Sequence, residues 1–402
     1  MRKNLGIWLS VLLVLVIVLS MALLQGCAKP KQAAVDYEAL AEKLVNQCVG
    51  IKEGECVLIT GGVRDLELLE NIAVHVRKAG AFPLVTVGTD RMDRKMVADI
   101  PEKWDSQAPV FGEKLFGLVT ATIYVDYRQK MDLFADIPAK RLETRSQATA
   151  PIQSLFEKRR IRSVNLGNAL YPTADLAKRF GVPLDTLSKL FWDGVNVDYS
   201  KLHAACEAVK TALAQGKEVK VTNANGTDFT FGIKGRTVLF SDGIIPPEDP
   251  KKKGGTLPAV WLPAGEVMTT AVPGTAKGKV VVNTNFYQGK EIRGLVLTFD
   301  NGKLLSMTAE SGVEPLLERY NAAQAGKELF AGIDIGTNPN VRVPAGSRMV
   351  AYMPAGMVNL AIGGNTYIGG ENTVNFGLDF FVPGSTVTVD GKVLVENGEM
   401  KI

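Results

Sequence analysis

The feature that most limits what this chain can fold into is a change of period near its midpoint. Up to Gly216, apolar residues switch between helical and strand spacing. Beyond it they recur almost wholly at strand spacing, in runs separated by Asn-Gly and Asp-Gly pairs. In the first half, DYEALAEKLVNQCVG and DLELLENIAVHVRKAGA carry helical stripes that stop at Gly50 and Gly80, and RMDRKMVADI is a further helix. CVLITGG, FPLVTVG, LFGLVTATIYVDY and IRSVNLG read as buried strands. AKRLETRSQATAPIQSLFEKRR is helical with an expected break at Pro151, and the shorter helical pieces TADLAKRFG and PLDTLSKLFWDG follow. Such alternation predicts helices packed around a mostly parallel sheet. DYSKLHAACEAVKTALAQGKE is a bridging helix with Leu202, Cys206, Val209 and Leu213 on one stripe. After it, VKVTNANGTDFTFGIKGRTVLF, VVVNTNFYQGKEIRGLVLTFDNGKLLSMTAES and STVTVDGKVLVENGEMKI alternate strand and turn, with hairpin signals at Asn301-Gly302 and Asp390-Gly391. One helix, VEPLLERYNAA, interrupts them. The expected organisation is an N-terminal α/β domain with a mostly parallel sheet at 37–195, then a β-rich α+β domain at 196–402, divided near Asn196.

The first 36 residues fall outside both domains. MRKN is a basic start, Ile7 to Leu24 is apolar apart from Ser10 and Ser20, and Leu24-Gln25-Gly26-Cys27 follows. That order resembles a bacterial lipoprotein signal at 1–26, cleaved before a cysteine that then carries lipid. A plain signal anchor is the rival, since about 18 apolar residues can just span a bilayer. Residues 27–36 then form a polar tether. Acyl chains contribute about 0.8 kcal/mol per buried CH₂, so lipid on Cys27 predicts a membrane-anchored, extracytoplasmic protein. Removing Arg2 and Lys3 from the 46 basic residues leaves a net charge of +2 against 42 acids, which is no signature of nucleic-acid binding. The run PKKKGG at 250–255 reads as a solvated loop.

With Cys27 assigned to lipid, Cys48, Cys56 and Cys206 remain, an odd number that argues against a full disulfide framework. Cys48 and Cys56 either pair across the turn between them or are small buried thiols. The chain has two histidines, His75 and His203, each flanking a helical stripe and expected on a solvated face. No Gly-x-Ser-x-Gly elbow, Walker A loop or Gly-x-Gly-x-x-Gly turn is present.

Seven stretches occur in one order along the chain: PTADLAKRFGVPLDTLSKLFWDG, DYSKL, NGTDFTF, LPAGEV, IGTNP, LAIG with a following GG, and VDGKVLVENG. In that order and spacing they resemble the thermophilic-type metallo-aminopeptidases, the aminopeptidase T family, over about residues 37–402. The resemblance implies an α/β first domain, a β-rich second domain bearing the active site, a homodimer, and a two-metal centre that removes N-terminal residues from peptides. It implies five metal ligands: two glutamates, two histidines and an aspartate. The glutamate of LPAGEV is Glu266. The second glutamate falls on Gly332, the first histidine on Asn359, and the His-x-Asp pair on Asn375 and Gly377. The family's catalytic tyrosine maps to Tyr367 with a slip of one residue.

These replacements bear on chemistry. Two dications held about 3.5–4 Å apart activate water and polarise a carbonyl, and their repulsion demands several anionic ligands. Zinc and cobalt favour imidazole nitrogen, and an asparagine amide is a weak neutral donor. Against that, Asp334 lies two residues after Gly332 and Asp379 two after Gly377, so each shares a strand face with the lost ligand. Asp334 and Asp379 either join Glu266 in an oxygen-only site for Mg²⁺, Ca²⁺ or Mn²⁺, or are ordinary surface acids. Three functions follow. The first is a non-catalytic binding protein with no cofactor, which takes a small peptide or amino acid in a cleft lined by Glu266, Asn359, Tyr367 and Asn375. The second is an active aminopeptidase with a rearranged divalent-metal site. The third is a structural envelope protein.

Overall fold

Amphipathic helices and buried strands alternate through the first half, and the hydrogen bonding follows that pattern. The structure, a computed structural model, describes residues 35–247, 258–287 and 290–402. The expected signal peptide, Cys27 and the lysine run at 250–255 lie outside the described residues. A short helix α1 (Tyr37–Glu42) continues into a π-helical turn, Lys43–Cys48. Then come β1 (Cys56–Gly62), α2 (Leu66–Lys78), β2 (Phe82–Gly88), α3 (Asp90–Ala98), α4 (Val110–Leu118), β3 (Ala121–Val125), α5 (Ala139–Lys158) and β4 (Arg162–Leu166). Helices α6 (Ala174–Phe180), α7 (Leu184–Val195) and α8 (Tyr199–Gln215) complete this half.

The strands of the second half are β5 (Glu218–Asn223), β6 (Thr227–Gly232), β7 (Val238–Ser241), β8 (Ala259–Leu262), β9 (Glu266–Thr270), β10 (Lys277–Tyr287), β11 (Lys290–Asp300) and β12 (Lys303–Thr308). After α9 (Glu314–Ala322) follow β13 (Phe330–Gly336), β14 (Val358–Gly363), β15 (Gly377–Phe381), β16 (Thr386–Val389), β17 (Lys392–Glu396) and β18 (Glu399–Met400). They build three sheets. A parallel sheet has the order β2-β1-β3-β4-β8, an eight-stranded antiparallel sheet β12-β11-β10-β6-β5-β16-β17-β18, and a five-stranded antiparallel sheet β15-β14-β13-β9-β7. An α/β region with a parallel sheet followed by a β-rich region is thus the architecture. Both residues of the Asn301-Gly302 and Asp390-Gly391 turns have positive φ, the twist that two-residue hairpins require.

The structure corrects some local expectations and bears out others. Residues 115–118, read as the start of a strand, are the end of helix α4, and the strand begins only at Ala121. A continuous apolar run does not separate helix from strand by period. Helix α5 runs through Pro151 without ending there. Cys48, Cys56 and Cys206 are all free thiols. His75 is buried rather than solvated, and its Nε2 lies 2.9 Å from Glu38 Oε1. His203 is half exposed and pairs with Asp242 at 2.7 Å.

Tyr37–Ile402 forms one compact unit. Strand β8, beyond the boundary expected near Asn196, completes the parallel sheet by pairing with β4. The chain then turns through Pro263–Gly265 straight into β9 of the five-stranded sheet. Helix α8, capped by Asp198 accepting from Ser200 and Lys201 N–H, packs its buried stripe on β7 and β9. An aromatic cluster of Phe229, Phe231, Phe299 and Phe330, with ring centroids 4.8–5.8 Å apart, ties the start of β13 to the eight-stranded sheet. Such pairs add about 0.5–1.5 kcal/mol each beyond buried area.

Candidate functional site

The register of the five-stranded sheet decides which side chains share its face. Glu266 on β9 lies opposite Gly336 on β13 and Ser241 on β7. Asp334 lies opposite Met268 on β9 and Asn359 on β14, and Asp379 on β15 lies opposite Ala361. With the two-residue alternation of strands, Ser241, Glu266, Asp334, Asn359 and Asp379 all project to one side. The opposite side carries Val267, Ile333, Ile335, Leu360 and Phe380, all buried.

The polar face is short of donors. Glu266 is 6% exposed, and Asn168 Nδ2, from the loop after β4, donates to its Oε1 at 2.7 Å and to Pro263 O at 3.0 Å. Asn168 and Ala169 both hold positive φ to reach it. Burial pushes the Glu266 carboxyl up to about 7, and the Asn168 hydrogen bond opposes that rise. Burial, then the charges of Glu266 and Asp379, hold the Asp334 carboxyl well above the ordinary carboxylate range, with the Ile335 N–H acting the other way. Asn359, 4% exposed, donates its Nδ2 to Asp379 Oδ1 at 2.9 Å, which fixes the amide's orientation. Its Oδ1 faces no donor. Asp334 Oδ1 and Ser241 Oγ are buried without partners as well. An unpaired buried polar atom costs about 1–3 kcal/mol.

Two tyrosines stand over this floor. Burial and the charges of Asp379 and Asp334 raise the Tyr352 phenol, which also hydrogen-bonds Asp379. Desolvation and the same two acids push Tyr367 up to about 12, although the residue is 63% exposed. Asn375 is exposed in the loop leading into β15. Thus Glu266, Asp334, Asn359 and Asp379 meet, Tyr367 stands within reach of their charge, and Asn375 sits on an exposed rim. Asn168, Ser241 and Tyr352 were not foreseen from sequence. No local pattern marks them, because each reaches the face from a loop or strand remote from Glu266 along the chain.

A family model described as thermophilic metalloprotease (M29) matches residues 34–329. The chain belongs to that family. Among solved structures, wild-type AmpT from Thermus thermophilus superposes with a TM-score of 0.70 at 18% identity, covering 91% of this chain and 99% of that one. A 2,5-dihydroxypyridine dioxygenase from Pseudomonas putida KT2440 gives 0.57 at 13% identity, covering 92% and 98%. At these identities both likenesses show the fold. No curated protein matches. The M29 match ends before β13, so it includes Glu266 and stops short of Gly332, Asn359, Asn375 and Gly377.

The residues present do not fit the two-metal centre that the M29 family implies. A Cβ at position 332 would lie 2.2 Å from Thr269 O, so the backbone of β9 fills the place of a glutamate side chain. Asn359 and Asn375, where the resemblance expects imidazoles, are amides, and both histidines of the chain are engaged with carboxylates elsewhere. Among the described residues, no three His, Cys, Asp or Glu side chains are arranged to hold a metal ion. What the face offers is a set of oxygen acceptors in want of a donor.

Proposed function

We propose that this M29 protein is a lipid-anchored, extracytoplasmic binding protein, catalytically degenerate at its former metal positions, that takes a small peptide or amino acid by its ammonium group. The observation that carries this reading is the pair of orphan oxygens, Asp334 Oδ1 and Asn359 Oδ1, at directly paired positions on β13 and β14. Paired residues of an antiparallel ladder have Cβ atoms about 4.5–5.5 Å apart, so one –NH₃⁺ can donate to both. Glu266 and Asp379 supply the negative field, and a bound cation would draw Asp334 toward its ionised form. Tyr367 and Asn375 lie at the rim, where a ligand's remainder would pass. Fold alone does not dictate hydrolysis: the same architecture is found in a protein named as a dioxygenase.

Thermal unfolding with and without dipeptides tests this. A ligand at about 100 times its Kd stabilises by about 2.7 kcal/mol. Free dipeptides and amino acids should raise the melting temperature, and their N-acetylated forms should not. No stabilisation by any free amine would sink the proposal.

A second reading has an observation of its own. Asp334 feels the charges of both Glu266 and Asp379. Although the three carboxylates are not arranged to hold an ion here, all three project from one sheet face toward which an oxygen-loving Mg²⁺, Ca²⁺ or Mn²⁺ could draw them. Equilibrium dialysis against Mn²⁺ with a Leu-p-nitroanilide assay separates the two. One tight ion per chain together with release of p-nitroaniline would establish a working aminopeptidase instead.

A further inference from the structure

A cation stands at the edge of the acidic face. Arg236 lies in the turn between β6 and β7, where its backbone N–H donates to Ile233 O and Gly235 holds positive φ. Its side chain runs back over the five-stranded sheet, and Nε donates to Thr270 Oγ1 at 2.7 Å. Thr270 is fully buried on β9, projects to the same face as Glu266 and lies opposite Gly332. It is therefore diagonal to Asp334, and diagonal neighbours in an antiparallel pair are about 7–8 Å apart. Nη1 donates to Glu371 Oε1 at 2.8 Å, and Nη2 donates to no described residue. The two members of this ion pair are unequal: the Arg236 side chain is 14% exposed and that of Glu371 69%. The guanidinium is built into the protein, whereas the carboxylate comes to it from an exposed loop. That loop also carries Tyr367, and it touches β9. An ion pair open to water on one side is weak, so a second carboxylate can take the place of Glu371.

We propose that Arg236 reads the far end of the ligand: it takes the C-terminal carboxylate of a two- or three-residue peptide, in the place that Glu371 holds in the free protein. This rests on the ammonium reading above, in which Asp334 Oδ1 and Asn359 Oδ1 hold the near end. Length selects the ligand. An extended chain spans about 3.3–3.6 Å per residue, so a single amino acid falls short of the guanidinium beyond Thr270, and a dipeptide or tripeptide reaches it. Charge selects it as well. A planar guanidinium presents N–H groups that match a carboxylate, and Nη2 is free to complete such a pair. A C-terminal amide carries no charge to displace Glu371 and gains nothing from Arg236.

Isothermal titration calorimetry on the full chain in detergent tests this with three probes: Leu-Ala, its C-terminal amide, and free leucine. Leu-Ala should bind at least about tenfold more tightly than either of the others, the ratio that a charge-assisted hydrogen bond commands. Arg236→Gln should abolish the preference for acid over amide. Glu371→Gln should tighten Leu-Ala severalfold and leave the amide no tighter. If Arg236 only held the loop in place, its loss would weaken acid and amide alike and preserve their ratio, which would count against the proposal. The comparison of acid with amide on the wild-type chain needs no variant, so a poorly folding Arg236→Gln does not spoil the test. Equal affinity of the wild type for acid and amide, or for Leu-Ala and leucine, would overturn the role of Arg236 and leave the ammonium reading standing. If none of the three probes binds, both fall together.

Discussion

Glu266 makes a prediction about pH that can be worked through. Burial moves its carboxyl from 4.5, the ordinary glutamate value, to about 7. Each pH unit corresponds to 1.36 kcal/mol, so the difference amounts to about 3.4 kcal/mol. The folded chain binds this proton more tightly than the unfolded chain does. Between pH 4.5 and about 7 the native state therefore holds more protons, and stability falls as pH rises through that window. Above it the whole penalty is in force. Glu266→Gln removes the ionisation while its amide oxygen still accepts from Asn168. The variant should match the wild type near pH 4.5 and exceed it by about 3 kcal/mol at pH 8. A unit of this size has an unfolding entropy of about 0.8 kcal/mol/K, which converts that gain to about 4 °C. Asp334 adds to the effect, since the variant relieves it of one neighbouring charge. Circular-dichroism melts of both proteins at pH 5, 6, 7 and 8 read it directly. Curves that stay parallel across the range would refute the claim that Glu266 is a strained, buried acid.

Three further substitutions probe the same face. Gly332→Glu should not restore a metal ligand: its Cβ would meet Thr269 O at 2.2 Å, and the loss should reach about 3 kcal/mol or more, seen as a lowered melting temperature with no zinc uptake on dialysis. Asn359→Leu removes an orphan oxygen but also the N–H that Asp379 accepts, so the two effects, each about 1 kcal/mol or more, should largely offset and leave the free protein's melting temperature little changed while any dipeptide-induced thermal shift is lost. Asn168→Ala leaves the buried Glu266 without its donor; the expected loss is about 1.5–3 kcal/mol, and the midpoint of the pH-dependent fall in stability should move upward, because Asn168 is the one influence holding that carboxyl down.

How far the sequence disclosed this molecule depended on whether a signal was local. Glycine-stopped strands alternating with striped helices announced the parallel sheet, and Asn301-Gly302 and Asp390-Gly391 announced hairpins, because each of those signals lies within a few residues. The stretch from Leu115 misled because the helix end Leu115–Leu118 and the strand Ala121–Val125 form one nearly continuous apolar run, broken only by Thr120 and Thr122. Strand β8 was invisible: four residues, with Trp261 exposed, are too few to show a period. In the site, Asp334, Asn359 and Asp379 could be placed on one face by counting in twos along strands. Their mutual distances depended on register between strands far apart in sequence. The contact of Asn168 with Glu266 spans 98 residues, and nothing in the loop Gly167–Ala169 hints at it. His75 was misread for a related reason: helix α1 packs against α2 and places Glu38 on its ring, and no stripe on α2 reveals that neighbour.

The arrangement also explains how this fold tolerates acids on a buried face. A buried carboxylate is ordinarily costly, since each isolated charge in a low-dielectric interior is strongly disfavoured. Here the burden is met in two ways. Raised carboxyls at Glu266 and Asp334 let protons stand where dications would be, and Asn168 and Asn359 each bring an N–H to an acid. Both devices are incomplete, because Asp334 Oδ1, Asn359 Oδ1 and Ser241 Oγ stay unpartnered. An ammonium arriving above neutral pH, where the Glu266 carboxyl is ionised, would meet oxygen acceptors that lack donors. Under the proposed binding function, the stability that Glu266 is expected to lose in that range bounds how much such a ligand could restore.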